Sequence, residues 1–412
     1  MDEAISKTDP SQSEPLNRHR SSLEGIIDFS VNTPLKASQR AQAERWFYQI
    51  VEYFKEPEPH KHQQGTTYSR PLLIRYTYEY ALSQESRDVF LRPFFRSMGL
   101  SLDADGDLVE LEDRQVEDLR SAFFAFADHL LDNFFLPLKA STKKTPQPSP
   151  AYHSAVLRAQ GSGMPLELVG TPDRVSALRG ACLVRDHHRC VVSRLFDHSE
   201  ALHRFKRDGE DARDDDGHLL REERRVDTLE VAHILPHSLT KAQPGAPLDP
   251  SREAALAVLN MFDVGVAYLI EGSEIDRPRN AMTLTHTLHD LLGEFRIFFE
   301  PASGDDQPPH TYRIGGFLPR FFPQDPPLPI TRTLYLSENR TIETPSPRLL
   351  AVHRAIALIL HLSAAGSYID QILRDVEEYG IRADGSTELG RLVTLGLKQS
   401  SWGVVDGRPL CD

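Results

Sequence analysis

The chain has 412 residues, is 40% hydrophobic and carries a net charge of -13 at pH 7, which is enough apolar content for a substantial core and, at about 150 residues per domain, for two to three domains. With 60 Asp and Glu against 47 Lys and Arg, it is not a protein that coats nucleic acid through general positive charge, so any phosphate contact has to be local. Three cysteines with no Cys-x-x-Cys pair argue against a disulfide framework and a four-cysteine zinc site.

Met1 to Arg20 is polar and mixed in charge, which predicts a disordered N-terminus (1–20) without an apolar signal region. No segment reaches the roughly 18 apolar residues of a membrane span. The expectation is an intracellular protein, nuclear or cytoplasmic and not secreted, with no membrane partner. Residues 21–138 read as a helical N-terminal region: Ala37 to Phe54 and Ser69 to Met98 have helical spacing with aromatic faces, and Trp46, Phe47, Ile50, Tyr53 and Phe54 form an expected buried stripe. Arg114 to Leu136 continues the pattern with Phe123, Phe124, Phe126, Phe134 and Phe135. From Lys139 to Pro150 the composition turns to Lys, Thr, Ser and Pro, which opens a linker and lead-in over 139–177.

The next segment, 178–318, carries the chemistry. Leu178 to Ser193 includes Arg185-Asp186, Cys190 and an apolar run. Arg204 to Asp227 is dense in both charge signs and includes Asp214 to Asp216; it reads as a mobile, solvated loop. Val231 to Leu235 is a short apolar strand that carries His233 and is stopped by Pro236. Ser251 to Ile270 reads as a helix. Asp276-Arg-Pro makes a turn before Asn280, and Leu284, Leu288, Leu291 and Leu292 are spaced for a helix face, with Thr285 as its N-cap. His286 and His289 lie three apart, so on a helix they project in neighbouring directions. Phe295 to Glu300 and Tyr312 to Gly315 can pair as a hairpin across Pro301 to His310. Pro319 to Pro329 begins a proline-rich connector (319–345). A C-terminal helical region (346–412) opens with amphipathic helix over Ser346 to Leu373, where His353 and His361 read as buried or interfacial.

Glu230 to Pro236 taken with Asn280 to Asp290 resembles the HNH, or ββα-metal, nuclease finger, and His289 stands nine residues after Asn280 as that family places it. The segment from Leu178 resembles the start of many such domains, and the whole chain is similar to uncharacterised HNH-domain proteins of filamentous fungi. The resemblance implies an α+β fold: a mainly helical chain with a central ββα-metal module and an inserted helix. It also implies a metal-dependent endonuclease that hydrolyses phosphodiester bonds in DNA, with RNA as a second possible substrate. By position, His233 is the general base, His289 a metal ligand and Asn280 the brace between them. Imidazole suits a base near neutral pH, and a divalent cation neutralises oxyanion charge. The expected cation is Mg2+, with Mn2+ or Zn2+ as alternatives.

Two features depart from the family pattern. The position before the base, often a metal ligand, is Ala232, so Glu230, His237 and His286 become further candidate ligands. His233 and Asn280 are also 47 residues apart, which leaves room for the inserted helix. Arg277 and Arg279 are candidate nucleic-acid contacts, with Arg185 to Arg189 and Arg204 to Arg207 as further basic segments. A catalytically degenerate scaffold that binds nucleic acid or protein is the competing reading, which Ala232 permits.

Overall fold

The computed structural model describes residues 34–55, 67–102, 113–142, 171–236, 255, 258–304, 306–319, 321, 325–337 and 341–379. His237, Cys411, the expected disordered N-terminus and most of the linker and lead-in fall outside the described residues.

The chain is α+β and mainly helical. Helix α1 (Ala37–Tyr53) buries Ala43, Trp46, Phe47, Ile50 and Val51, the three- and four-residue spacing of one helical face. Tyr53, expected in that stripe, instead points outward and is 68% exposed. The expected helical stretch from Ser69 splits into α2 (Arg70–Glu79) and α3 (Gln84–Ser97). Ser69 and Ser83 cap the two starts, their hydroxyls accepting from the amides of Leu72 and Ser86. Helix α4 (Asp113–Leu130) runs through a wider π turn at Leu131–Phe135 into α5 (Leu136–Thr142). The linker therefore does not begin at Lys139. That residue is buried on α5, where its ammonium pairs with Asp370 at 2.5 Å.

After α6 (Thr171–Arg185) come β1 (Phe196–Asp197), α7 (His198–Asp208) and β2 (Val226–Asp227), with β1 and β2 parallel. The charged stretch Arg204 to Asp227 is not a mobile loop. Its first part is the end of α7, and the remainder is pinned by ion pairs: Arg189 to Asp214 at 2.7 Å, Arg204 to Asp215 at 2.9 Å and His188 to Asp215 at 2.8 Å. Pairing neutralises a charge density that would repel itself if left in solvent.

Strands β3 (Leu229–His233) and β4 (Ala281–Thr285) pair antiparallel, with Leu229 opposite Thr285 and His233 opposite Ala281. Helix α8 (His286–Gly293) follows β4 directly. Thr285 stands at its N-cap in extended backbone but makes no capping hydrogen bond through its side chain. Leu284, expected on the helix, lies in β4. Of the expected helix from Ser251, the described part is helical only at Ala255 and Val258–Leu259, and it gives way to short 3-10 turns at Val266–Leu269, Gly272–Asp276 and Pro278–Asn280.

Strands β5 (Ile297–Pro301) and β6 (Thr311–Gly316) form the expected hairpin. A third strand, β7 (Ile330–Thr333), adds to β6 inside what reads in sequence as a connector. Helices α9 (Pro347–Leu362) and α10 (Ala365–Tyr379) bend by 81° at Ser363–Ala364, where Ala364 takes a left-handed φ of 62°. Among the described residues no single helix is long and apolar enough to cross a membrane. His353 is buried and stacks on Phe295, whereas His361 is exposed and stacks on Phe317. One buried cluster runs from Leu35 through the Phe residues of α3 and α4, the β3–β4 hairpin and α8 to Leu373, so the hairpin is held by helices from both ends of the chain.

Candidate active site

Strand parity sorts the hairpin into two faces. On one face Val231 and its neighbour Ala281 pack with Leu178 and Cys182 of α6, and His233 shares this face. On the other, Glu230 and Ala232 stand opposite Leu284 and Met282, beneath α8, which buries Leu288 and Leu292.

On the first face His233 is almost enclosed, its side chain 3% exposed, and its Nε2 lies 3.3 Å from Asp276 Oδ1. Arg174 on α6 holds the other oxygen, Oδ2, at 3.2 Å. Asp276 was legible only as a turn residue. Nothing local distinguishes it, since its role depends on the 3-10 turn that carries it back beneath β3.

Asn280 is wholly buried and ties three pieces of backbone together. Its Oδ1 accepts from the amide of Leu235 at 3.0 Å, and its Nδ2 donates to the carbonyls of Leu235 at 3.1 Å and Ile275 at 3.0 Å. Its own carbonyl accepts from the amide of Ile234 at 2.7 Å. A neutral amide alone can accept and donate in this way without burying a charge.

On the second face, Glu230 stands between both helix histidines. Oε2 lies 2.6 Å from His289 Nδ1, and Oε1 lies 3.1 Å from His286 Nδ1. His286 also reaches Asp290 at 3.5 Å. Burial pushes the Glu230 carboxyl up, but hydrogen bonds and charge from His289 and His286 outweigh it and hold the group below its ordinary value. His286 is mostly exposed and is raised above its ordinary value, first by its hydrogen bond to Glu230 and then by the charges of Asp290 and Glu230. Three expected candidates are thus brought together, and strand parity places His233 on the opposite face from them.

Another potential cation cluster is Asp214, Asp216 and His218, whose donor atoms converge more closely. Asp214 there is already committed: Oδ1 accepts from the amides of Asp216 and His218, and Oδ2 accepts from Arg189. The cluster closes a turn.

Arg277 and Arg279 do not offer free charge to a phosphate. Arg277 forms a fork with Glu343 at 2.9 and 3.0 Å, and Arg279 pairs with Glu274 at 2.5 Å. Arg185 is fully buried, paired with Asp186 and bound to the carbonyls of Pro278, Glu343 and Ala281. Asp186 in turn accepts from the amide of Thr283 at 2.9 Å. This Arg-Asp pair therefore clamps α6 to the start of β4, and the dipeptide noted in sequence was its only signal. Cys182 and Cys190 are free and buried, and burial pushes the Cys182 thiol up to about 12, which makes it a packing residue.

Residues 190–300 match the family described as HNH endonuclease. The chain carries an HNH-family nuclease domain. The match begins at Cys190 and ends at Glu300, so it takes in β3, β4 and α8 together with the intervening turns. No curated protein and no solved structure matches the chain.

Proposed function

We propose that the HNH domain is a metal-dependent endonuclease that hydrolyses DNA phosphodiester bonds, with Glu230, His289 and His286 as its cation site. The observation that carries this reading is the carboxylate of Glu230 set between two imidazoles at 2.6 and 3.1 Å on the hairpin–helix unit. By strand parity Glu230 faces the same way as Ala232, so it supplies from two residues upstream the hairpin carboxylate that Ala232 cannot. One carboxylate with two imidazoles suits Mn2+ or Zn2+ at least as well as Mg2+, which prefers an all-oxygen shell. The three groups do not converge as tightly as Asp214, Asp216 and His218, and exposed His286 has the freedom to close the set. A divalent cation held there supplies charge neutralisation for the phosphate and the leaving oxygen.

His233 holds the family's base position, but it lies on the opposite face of the hairpin from the Glu230 cation site. With its Nε2 proton directed at Asp276, the basic nitrogen is Nδ1. Arg174 pairs with Asp276, so the carboxylate is held in place and gives the imidazole a fixed orientation. Asn280 acts through backbone, holding Leu235 and Ile275 so that the end of β3 stays in place.

A second reading, a domain that binds nucleic acid without turnover, is favoured by Ala232 and by the enclosure of His233. Plasmid nicking with Mg2+, Mn2+, Zn2+ or EDTA separates the two. Cleavage by wild type that is lost in folded Glu230→Gln, His289→Ala and His233→Ala supports the nuclease. Salt-dependent binding with no cleavage under any metal supports the second reading.

A further inference from the structure

Most arginines around the domain are spent on carboxylates: Arg174 on Asp276, Arg185 on Asp186, Arg189 on Asp214 and Glu223, Arg204 on Glu200 and Asp215, Arg277 and Arg279 on Glu343 and Glu274. Arg194 and Arg332 are different. Among the described residues neither forms an ion pair, and both donate to main-chain carbonyls.

The two segments lock together through these side chains. Arg194 sits in the turn from Cys190 to Leu195, closed by its own amide donating to the Cys190 carbonyl at 3.0 Å, and it takes a left-handed φ of 68°. That φ is uncommon for a residue with a side chain, and such strain concentrates at sites with a job. The turn is docked on the hairpin because the Val191 amide donates to the Thr283 carbonyl of β4 at 2.9 Å. Arg332 on β7 donates from Nε to the Val192 carbonyl at 2.8 Å and from Nη1 to the Thr331 carbonyl at 3.3 Å. Arg194 donates from Nη2 to the Thr333 carbonyl. Each guanidinium thus grips the strand or turn that bears the other.

The Arg194 guanidinium lies 4.2 Å from the centre of the Tyr335 ring. His187 stacks on the same ring at 4.6 Å and engages Asp216 at 2.9 Å, so that nearby carboxylate already has a partner. Among the described residues Arg194 Nη1 is enclosed with no acceptor, while the Nη2 contact and the Arg332 Nη1 contact lie at the surface. Burial lowers Arg332 below its ordinary value, and the charge of Arg194 lowers it further. Arg332 thus has Arg194 as a like-charged neighbour, and an anion bound by both guanidinium groups would relieve that contact.

We propose that Arg194 and Arg332 form a phosphate subsite that takes a backbone phosphodiester of the nucleic acid, on the turn that docks against β4. The subsite rests on the nuclease reading above for its ligand class. Arg194 and Arg332 are not in the cation site, so their loss leaves Glu230, His286 and His289 intact.

Binding of a labelled DNA duplex in EDTA, followed by anisotropy across a salt series, tests it with wild type and Arg194→Gln/Arg332→Gln. The expected result is at least about tenfold weaker binding by the variant and a log–log salt slope shallower by roughly one per lost contact. Equal affinity and slope would overturn the subsite and leave the nuclease reading standing. A wild type that binds no nucleic acid overturns both. If the double variant does not fold, phenylglyoxal modification of wild type with and without duplex serves instead: Arg194 and Arg332 should be protected, and undiminished modification of both sinks the proposal.

Discussion

Replacing Asn280 with alanine should destabilise the domain by about 3–5 kcal/mol. The side chain is fully buried, and its removal strands the Leu235 amide, the Leu235 carbonyl and the Ile275 carbonyl, which it now satisfies at 3.0 to 3.1 Å. An orphaned buried polar group costs roughly 1–3 kcal/mol. Carbonyls are the cheaper orphans and a water can enter part of the space, which places the sum in the lower half of the range. Against a total stability of about 5–15 kcal/mol, that is a large fraction. Urea denaturation followed by circular dichroism should show the midpoint fall, and hydrogen exchange should show the Leu235 amide losing protection early. Asn280→Asp keeps an acceptor for that amide but turns a second carboxylate oxygen toward two carbonyls. It should therefore be at least as damaging at neutral pH and should recover partly in acid, where protonation restores one donor. A loss below about 1 kcal/mol for the alanine variant, with Leu235 still protected, would refute the bracing argument.

Arg185→Met should cost about 3–5 kcal/mol, the usual result of leaving a buried carboxylate such as Asp186 without its partner, and a thermal melt within a degree of wild type would count against the clamp between α6 and β4. The Glu230 contact has a pH window whose sign follows from its partners. Glu230 is held below its ordinary value of 4.5, so its contribution is present above 4.5 and lost as pH falls through the lowered value. His286 is raised above 6.5, so its contribution is complete below 6.5 and lost as pH rises through the raised value. Melting curves of Glu230→Gln across pH should differ most from wild type between those values, and a constant difference would be the wrong result. His353 is lowered to about 4 by burial, so the unfolded chain takes its proton first and stability falls as pH drops from 6.5 toward 4. His353→Asn should flatten that slope in acid denaturation, and an unchanged slope would assign the acid sensitivity elsewhere.

The parts of the site that depend on neighbours in sequence were readable from the chain. His233 on a short apolar strand, Asn280 after a turn and His289 nine residues later carry the family's spacing, since a hairpin and the helix that follows it are set by local backbone rules. The N-terminal helices were readable too, because aromatic residues at three- and four-residue intervals leave little choice of structure. Where a local signal was weak the reading failed: β7 has only four residues and exists because β6 offers it an open edge.

Sequence by itself determined an α+β chain built around an HNH hairpin and helix, and the identity of the residues from which a site can be made. Tertiary structure decided which of them meet. Strand parity put Glu230 with His286 and His289 and turned His233 toward Asp276, 43 positions away. Glu343, 66 positions from Arg277, neutralised the arginines that looked best placed for phosphate. Arg194 and Arg332, 138 positions apart by number, came to share one surface. Charge pairing and burial act over distances of a few ångströms in space, and a linear order of residues does not contain those distances until the core has closed.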